Sequence, residues 1–326
     1  MNQIEPTDAP LVFIGLPVYN GGAYFEECLK SIQQQTYQNW ECAIIDNRSG
    51  DDTNKIAKTF AEKDNRFKLY VNEEFVDQVS NWNIAFSKTN KQAKYFKIVC
   101  ADDWLFADYL ESMVQVMQAR PDVGLCSSYR IDGERVNCDG LDYYDGNYFD
   151  GKKILIRQLS NEIFVTGSAH TILCRLETLK RLQYYPEIFR SDVYHMDTLL
   201  AYDVLNISHL GFVYKVLSYT RRHNETYTAK IAKRFKTWFY LQDVALKRFM
   251  ELDPSFPARY KKNRLDYAYF LMSRKMRNDT ECIEWHARYM KDKFQVRDYF
   301  LAFATRNRIT RHLRRLGDIV ALKVSR

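Results

Sequence analysis

The sequence lacks any hydrophobic run close to the roughly 18 consecutive apolar residues that a membrane-spanning helix requires. Its opening, "MNQIEPTDAP", lacks the charged and then apolar pattern of a secretion signal. From these absences we expect a cytoplasmic protein. The 7 cysteines are odd in number, scattered and never arranged as CxxC. This agrees with a reducing compartment and argues against a zinc site.

Internal repeats and low-complexity segments are also missing. The 326 residues are 46% hydrophobic and 27% charged, which fits one large globular domain or a domain with an appendage. The net charge of +7 is unevenly spread. From Lys230 onward there are 24 Lys and Arg against 10 Asp and Glu, whereas the preceding residues carry 24 against 31. An acidic body with a basic tail often indicates contact with an anionic surface.

Strand and helix patterns alternate through the first half of the chain, and from about residue 229 only helical patterns follow. In the first helical pattern Phe25, Leu29 and Ile32 recur at helical spacing. The β-α repetition predicts an α/β fold with a mostly parallel, doubly wound sheet that binds ligands at the carboxyl ends of its strands. The predicted strands are 11–18, 40–46, 67–72, 95–101, 123–133 and 211–223.

Polar residues stand where three of these strands end. The first strand ends at "PVYN", the second at Asp46 and the fourth at Asp102 and Asp103. Two adjacent carboxylates at the end of a buried strand need a neutralising partner. A divalent cation that also binds phosphate oxygens would provide one. The alternative is that Asp102 caps the following helix and Asp103 lies in its first turn.

The opening segment "VFIGLPVYNGGAYFEECLKSIQQQTYQNWECAIIDNRSGDDT", together with the later "ADDW", resembles the family 2 glycosyltransferases of the GT-A fold. The "P-x-Y-N" turn, the "D-N-x-S-x-D-x-T" loop and the acidic pair carry this resemblance, which covers about residues 10–225. It implies a GT-A, Rossmann-like sheet flanked by helices in a catalytic domain, residues 1–228. The basic helical extension, residues 229–326, resembles no family.

The resemblance implies a nucleotide site at the first two strand ends. Pro17 and Tyr19 would line the base pocket, Asp46 would bind the base, most often uracil, and Asp102 would meet the ribose or a metal. Tyr19 has the alternative role of an ordinary core residue. Arg221 and Arg222 either contact the diphosphate or are solvated charges at a strand end.

The resemblance also implies the residues of the reacting centre. Asp103 and His223 would bind Mg²⁺ or Mn²⁺. Asp197 would be the catalytic base that takes the proton of the acceptor hydroxyl. For Asp197 the alternative is a helix N-cap, with Asp192 as the other candidate base, and for His223 it is an ordinary surface or core histidine. The "TGSAH" loop, with Gly167 and Ser168, would face the donor sugar and the acceptor.

Three positions depart from the family pattern. Cys100 stands where members often have an additional Asp, so the motif is a bare acidic pair and the metal site depends mainly on Asp103. Trp82 replaces the usual Arg before Asn83. Met196 replaces the first acid of the usual Glu-Asp pair.

The implied function is a metal-dependent, inverting glycosyltransferase of the hexosyltransferase type. It would move a sugar from a nucleotide-sugar, UDP-linked by preference, to a hydroxyl of a glycan or glycolipid in cell-surface polysaccharide or lipopolysaccharide biosynthesis. Two rivals remain open. A sugar nucleotidyltransferase would need a Gly-rich loop with a Lys or Arg after the first strand. The segment "PVYNGGAYFEE" has the glycines but no Lys or Arg. The other rival is a non-catalytic module that binds nucleotide-sugars.

The basic tail leaves two compatible interpretations. Arginines surround one apolar face of a helical pattern over residues 308–320, which is typical of a peripheral helix attracted to anionic lipid. Such docking would suit a lipid-linked acceptor. The alternative is a helical subdomain that packs on the catalytic core. No motif supports nucleic-acid binding.

Overall fold

A computed structural model describes residues 9–183, 185–189, 195–223 and 237–271 of the chain. The chain divides into two compact units, Met1–Thr226 and Tyr227–Arg326. The assignment of a catalytic role to residues 1–228 and of a docking or packing role to residues 229–326 stays a prediction. The arginine-flanked segment 308–320 and Asp192 lie outside the described residues.

One mixed sheet forms the centre of the first unit, in the order β3-β2-β1-β4-β9-β6-β10-β5, with β7 paired to β6 and β8 paired to β10. The first four strands are parallel to one another, whereas β9 is antiparallel to both β4 and β6. The strands are β1 (Val12–Val18), β2 (Trp40–Asp46), β3 (Phe67–Val71), β4 (Tyr95–Ile98), β5 (Trp104–Leu105), β6 (Val123–Asp132), β7 (Arg135–Asn137), β8 (Tyr148–Phe149), β9 (Leu173–Arg175) and β10 (His209–Thr220).

Helices flank this sheet, so the predicted α/β class with a mostly parallel sheet is confirmed. The helices of the first unit are α1 (Gly22–Gln33), α2 (Thr53–Lys63), α3 (Gln78–Ser87), α4 (Tyr109–Ala119), α5 (Gly151–Leu159), α6 (Leu176–Lys180) and α7 (Met196–Ile207). The described part of the second unit is helical, with α8 (Thr237–Arg248) and α9 (Phe256–Leu271).

The core lies where apolar strands meet the apolar faces of the helices. All residues of β1 are buried, as expected for a central parallel strand. Phe25, Leu29 and Ile32 are fully buried, which confirms the predicted core face of α1. On β1, Gly15 allows close packing, since a Cβ atom there would lie 3.0 Å from Ile98 Cδ1 and 3.2 Å from Ala85 Cβ.

The topology brings the carboxyl ends of the parallel strands to one edge of the sheet. Val18, at the end of β1, is the register partner of Asp46 in β2, and Thr220, at the end of β10, is the partner of Asp132 in β6. The loop before β9 reaches the same edge, because β9 runs antiparallel to β4. Segments far apart in sequence therefore meet there.

Candidate active site

A buried carboxylate lies at the end of β2, and two exposed aromatic rings follow the neighbouring strands β1 and β3. Asp46 is only 1% exposed, and its carboxylate accepts hydrogen bonds from Ser49 N (2.9 Å) and Asn54 Nδ2 (3.0 Å). Tyr19 follows the adjacent strand and is 53% exposed, with its ring centroid 4.9 Å from that of Phe75. The high exposure excludes the interpretation of Tyr19 as a core residue.

Hydrogen bonds join the loop after β1 to the loop after β2. Asn20 N donates to Ser49 Oγ (2.9 Å), and Gly21 N donates to Thr53 Oγ1 (2.8 Å). Gly22, with φ of +52°, donates its N–H to Asp51 Oδ2 (3.0 Å). The two motifs that carried most of the resemblance therefore form one hydrogen-bonded unit. Pro17 is buried within β1 below it.

The acidic pair follows β4. Asp103 is 5% exposed, and its Oδ1 accepts the Arg221 main-chain N–H at 2.8 Å. Burial, and next the nearby Asp102 carboxylate, raise the pKa of Asp103 well above its usual range. Asp102 is half-exposed and its Oδ2 lies 3.3 Å from His223 Nε2. The imidazole therefore contacts Asp102, whereas Asp103 meets the main chain of Arg221.

Both arginines after β10 have carboxylate partners. The Arg221 guanidinium pairs with Glu27, donates to the Asp102 carbonyl oxygen (3.2 Å) and lies 4.2 Å from the Tyr24 ring centroid. Arg222 donates two hydrogen bonds to Asp132, at 2.5 and 2.6 Å. Arg222 is thus an ion-paired, largely exposed charge at the strand end, whereas Arg221 and His223 contact the acidic pair.

A metal site at this edge would need ligands from the substrate. Within the described ranges, no three His, Cys, Asp or Glu side chains are grouped so that they could hold a metal ion. Mg²⁺ is commonly bound by one or two carboxylates together with substrate phosphates. A buried carboxylate with a raised pKa beside a second carboxylate fits that donor set. The ligand role of Asp103 and His223 stays a prediction.

The loop that precedes β9 contacts Asp197, the predicted catalytic base. Ala169 N donates to Asp197 Oδ2 at 3.0 Å, and Ser168 Oγ accepts from Arg130 Nη1 at 2.8 Å. Asp197 lies in the first turn of α7, where His195 is the N-cap, so Asp197 is not the helix cap. Its Oδ1 accepts Thr198 N at 2.8 Å. A carboxylate is favoured here because the helix N-terminus is partially positive.

Substitution of Gly167 is expected to destabilise this loop. Its φ is +61°, and an added Cβ would collide with Thr171 Oγ1 and lie 2.8 Å from Cys138 Sγ. Gly167→Ala is therefore expected to lower the free energy of unfolding by about 1–3 kcal/mol, measured by urea denaturation. Gly50→Ala, where an added Cβ meets nothing within 4 Å, is the control. Equal stability of the two variants would contradict the expectation.

The three residues that depart from the family pattern have packed or hydrogen-bonded positions in the structure. Trp82 is 8% exposed and packs edge-on against Phe189, and Met196 is 5% exposed. Cys100 accepts the Cys28 thiol at its carbonyl oxygen, and burial raises the pKa of the Cys100 thiol. All three side chains pack within the first unit.

Sequence reasoning missed several polar residues at this edge. Lys97 and Arg130 interrupt apolar strand sequences, and that interruption was the available signal. Arg130 is 7% exposed and joins Ser168 to Asp132. No sequence pattern indicated that Phe75 and Glu27 belong to the site, because their partners Tyr19 and Arg221 are distant in sequence.

Residues 13–180 match the family model "Glycosyl transferase family 2". Among curated proteins, Glycosyltransferase GlyG of Streptococcus pneumoniae is 30% identical over 153 residues, which are 46% of this chain and 47% of that protein. Putative glycosyltransferase EpsH of Bacillus subtilis is 31% identical over 37% of this chain and 34% of its own length. The matches thus span less than half the length of these relatives.

Solved structures share the fold at low sequence identity. S. aureus TarS residues 1–349, in complex with UDP-GlcNAc, has a TM-score of 0.58 and 14% identity, covering 91% of this chain and 80% of that one. Mannosyltransferase PcManGT from Pyrobaculum calidifontis, in complex with GDP-Man and Mn²⁺, has a TM-score of 0.54 and 18% identity, covering 98% and 82%. These likenesses establish the fold alone. In the part of the chain that the structure describes, none of the helices has the length and apolar character to cross a membrane.

Proposed function

Because the chain belongs to glycosyl transferase family 2, we propose that it is an inverting glycosyltransferase that uses a nucleotide-sugar donor. The observation that carries the proposal is the contact between Asp197 and the 166–172 loop, at the sheet edge where Asp46 and the acidic pair also lie. One edge of the sheet thus holds Asp197 as the candidate catalytic base and Asp46 as the candidate ligand of the nucleobase. The acidic pair, Asp102 and Asp103, is the candidate site for the diphosphate.

In the proposed reaction the acceptor hydroxyl attacks the anomeric carbon from the side opposite the nucleoside diphosphate. Asp197 accepts the hydroxyl proton as the new glycosidic bond forms and the bond to the diphosphate breaks. The Ala169 N–H bonds one oxygen of Asp197, so the carboxylate is held in one orientation. Single displacement on one face inverts the anomeric configuration.

Donor recognition would use the first two strand ends. Asp46 would accept an N–H of the nucleobase, and Tyr19 and Phe75 offer flat surfaces against it. Asp102 would contact the ribose. Bound Mg²⁺ or Mn²⁺ would neutralise charge on the departing diphosphate, with Asp103 and His223 to hold it. A uridine nucleotide is favoured by the family resemblance and by the likeness to a protein crystallised with UDP-GlcNAc.

The acceptor is proposed to be a hydroxyl of a glycan or glycolipid in the assembly of a cell-surface polysaccharide. Family analogy supports this setting. The Tyr-rich segment 139–152 contains strongly exposed rings at Tyr143 and Tyr144, and aromatic faces of this kind suit contacts with sugars. Peripheral docking of the basic tail on an anionic membrane stays a prediction.

A thermal-shift screen of UDP-sugars, GDP-sugars and their nucleoside diphosphates, with and without Mn²⁺, tests the proposal. One nucleotide series is expected to raise Tm by several degrees, since a ligand at about 100 times its Kd stabilises the folded state by about 2.7 kcal/mol. Asp46→Asn is expected to weaken the shift, whereas Asp122→Asn, at the opposite edge of the sheet, should retain it. If no nucleoside diphosphate changed Tm under any condition, the proposed donor class would be wrong.

A further inference from the structure

A lysine ammonium is buried inside the sheet next to the candidate active site. Lys97, in β4, is 0% exposed. Its Nζ donates to the carbonyl oxygens of His170, Ala169 (3.3 Å) and Ile172 (3.2 Å), and it lies 4.4 Å from the Tyr109 ring centroid. Burying a charged group is costly unless it is well paired. Here the hydrogen-bond acceptors all belong to one loop.

That loop, residues 166–172, reaches both the lysine and the candidate base. Ala169 makes both contacts, since its carbonyl oxygen accepts from Lys97 and its N–H donates to Asp197 Oδ2. Other hydrogen bonds also hold the loop, among them those from Tyr109 Oη to the Thr171 carbonyl oxygen (3.0 Å) and between His170 Nε2 and the Trp104 carbonyl oxygen (2.9 Å). The path from Lys97 to Asp197 therefore passes through a single residue.

We propose that Lys97 is a positioning residue whose ammonium fixes the 166–172 loop and thereby fixes the Ala169 N–H that orients the Asp197 carboxylate. The inference rests on the proposed function, in which Asp197 is the base. Lys97 itself touches no reacting atom in this scheme. A displacement of the catalytic base by about 1 Å can lower a rate by about 10²-fold. The hydrogen bonds of Lys97 to the loop, called here the Lys97 anchor, therefore matter for turnover.

The strength of the Lys97 anchor depends on pH, because the charge state of Lys97 sets how many N–H groups it can donate to the loop. Burial lowers the pKa of Lys97 to about 7, while Cys100, Cys174 and Asp103 oppose that shift. The His170 imidazole and the Tyr109 ring complete the neighbouring titratable groups. An ammonium has three N–H bonds for the three carbonyl oxygens, whereas the neutral amine has two. We therefore expect kcat to fall as the pH rises through about 7.

The adjacent strand β9 offers a matched control. Arg175 is 6% exposed and donates to the carbonyl oxygens of Val123 (2.8 Å), Met117 (2.6 Å) and Arg120 (3.1 Å). It too is a buried cation bonded to three carbonyl oxygens, but these lie at the end of α4 and the start of β6, outside the 166–172 loop. Arg175→Met therefore reproduces the loss of a buried cation without release of the loop.

The test compares the wild type, Lys97→Met and Arg175→Met. Lys97→Met is expected to lower kcat by about 10- to 100-fold with donor affinity unchanged. It should also abolish the fall of kcat above about pH 7 and speed hydrogen exchange in peptides covering 166–172. Arg175→Met should retain wild-type kcat, pH profile and exchange in this loop, although it is less stable.

Wild-type kcat in Lys97→Met, or equal losses in both variants, would overturn the inference. If Lys97→Met does not fold, the dependence of kcat on pH in the wild type and in Arg175→Met decides. A kcat that stays constant across neutral pH in both proteins overturns the inference. Absence of sugar transfer by the wild type would instead overturn the proposed function. The exchange measurement then still decides, because unchanged protection of the 166–172 loop in Lys97→Met would show that Lys97 does not anchor it.

Discussion

Asp197→Asn is expected to lower kcat by about 10²- to 10⁴-fold, the usual contribution of a general base. Asparagine retains one oxygen that can accept the Ala169 N–H, so the contact with the 166–172 loop should persist. Its NH₂ group replaces the oxygen that accepts Thr198 N, so that hydrogen bond is lost. What it lacks is the ability to accept the proton of the acceptor hydroxyl. Steady-state kinetics with the donor identified by thermal shift would measure the loss, and donor affinity should remain at the wild-type value.

Glu177→Gln is the matched control for this substitution. Glu177 is an exposed acid in the first turn of α6, as Asp197 is in the first turn of α7. The control removes a carboxylate from a helix N-terminus without touching the candidate site, so it isolates the effect on the helix dipole. Near wild-type turnover by Asp197→Asn would show that another group is the base.

Asp103→Asn is expected to stabilise the protein and to abolish the metal-dependent part of donor binding. The carboxylate is 5% exposed, and burial raises its pKa well above the usual range. Asparagine can still accept the Arg221 N–H without burying a charge. The expected gain in the free energy of unfolding at neutral pH is on the order of 1 kcal/mol, measured by urea denaturation.

The sign of the pH effect follows from the raised folded-state pKa. Between the unfolded value, about 3.9, and the folded value, the folded wild type binds more protons than the unfolded chain. Its stability therefore falls as the pH rises through that window, and the difference from Asp103→Asn should vanish below about pH 4. Asp102→Asn should gain less, because Asp102 is half-exposed.

Donor binding provides the second readout for Asp103. Wild-type protein is expected to show a larger thermal shift with nucleotide and Mn²⁺ together than with nucleotide alone, and the additional shift should disappear in Asp103→Asn. A destabilised Asp103→Asn protein would contradict the electrostatic argument. An undiminished effect of Mn²⁺ would contradict the assignment of Asp103 as a metal ligand.

The strands and most helices were predictable from sequence because their signals are local. The buried run of β1 and the spacing of Phe25, Leu29 and Ile32 each lie within one element. Helix α5 and the antiparallel direction of β9 were not predicted. The first begins at the end of the acidic, Tyr-rich segment 139–152, whose sequence predicts a loop. Strand direction depends on partners that pattern alone does not reveal.

The roles of individual polar residues needed the fold. Arg221 and Arg222 looked alike in "YTRRH", yet one contacts Glu27 and the acidic pair while the other binds Asp132. His223, expected beside Asp103, contacts Asp102. Each partner lies about 90 to 190 residues away, and a sequence pattern carries no information on contacts at that separation.

By itself, the sequence determined the α/β class, the family and the positions of the acidic clusters at strand ends, since hydrophobic period and short motifs are properties of neighbouring residues. The tertiary structure alone decided which groups contact the acidic pair. Asp102 and Asp103 meet Arg221 and His223 because β10 ends beside the loop that follows β4. Lys97, which looked like an interruption in an apolar strand, proved to hold the loop that contacts Asp197. Charges buried in a sheet depend on partners that only the packing of distant segments supplies.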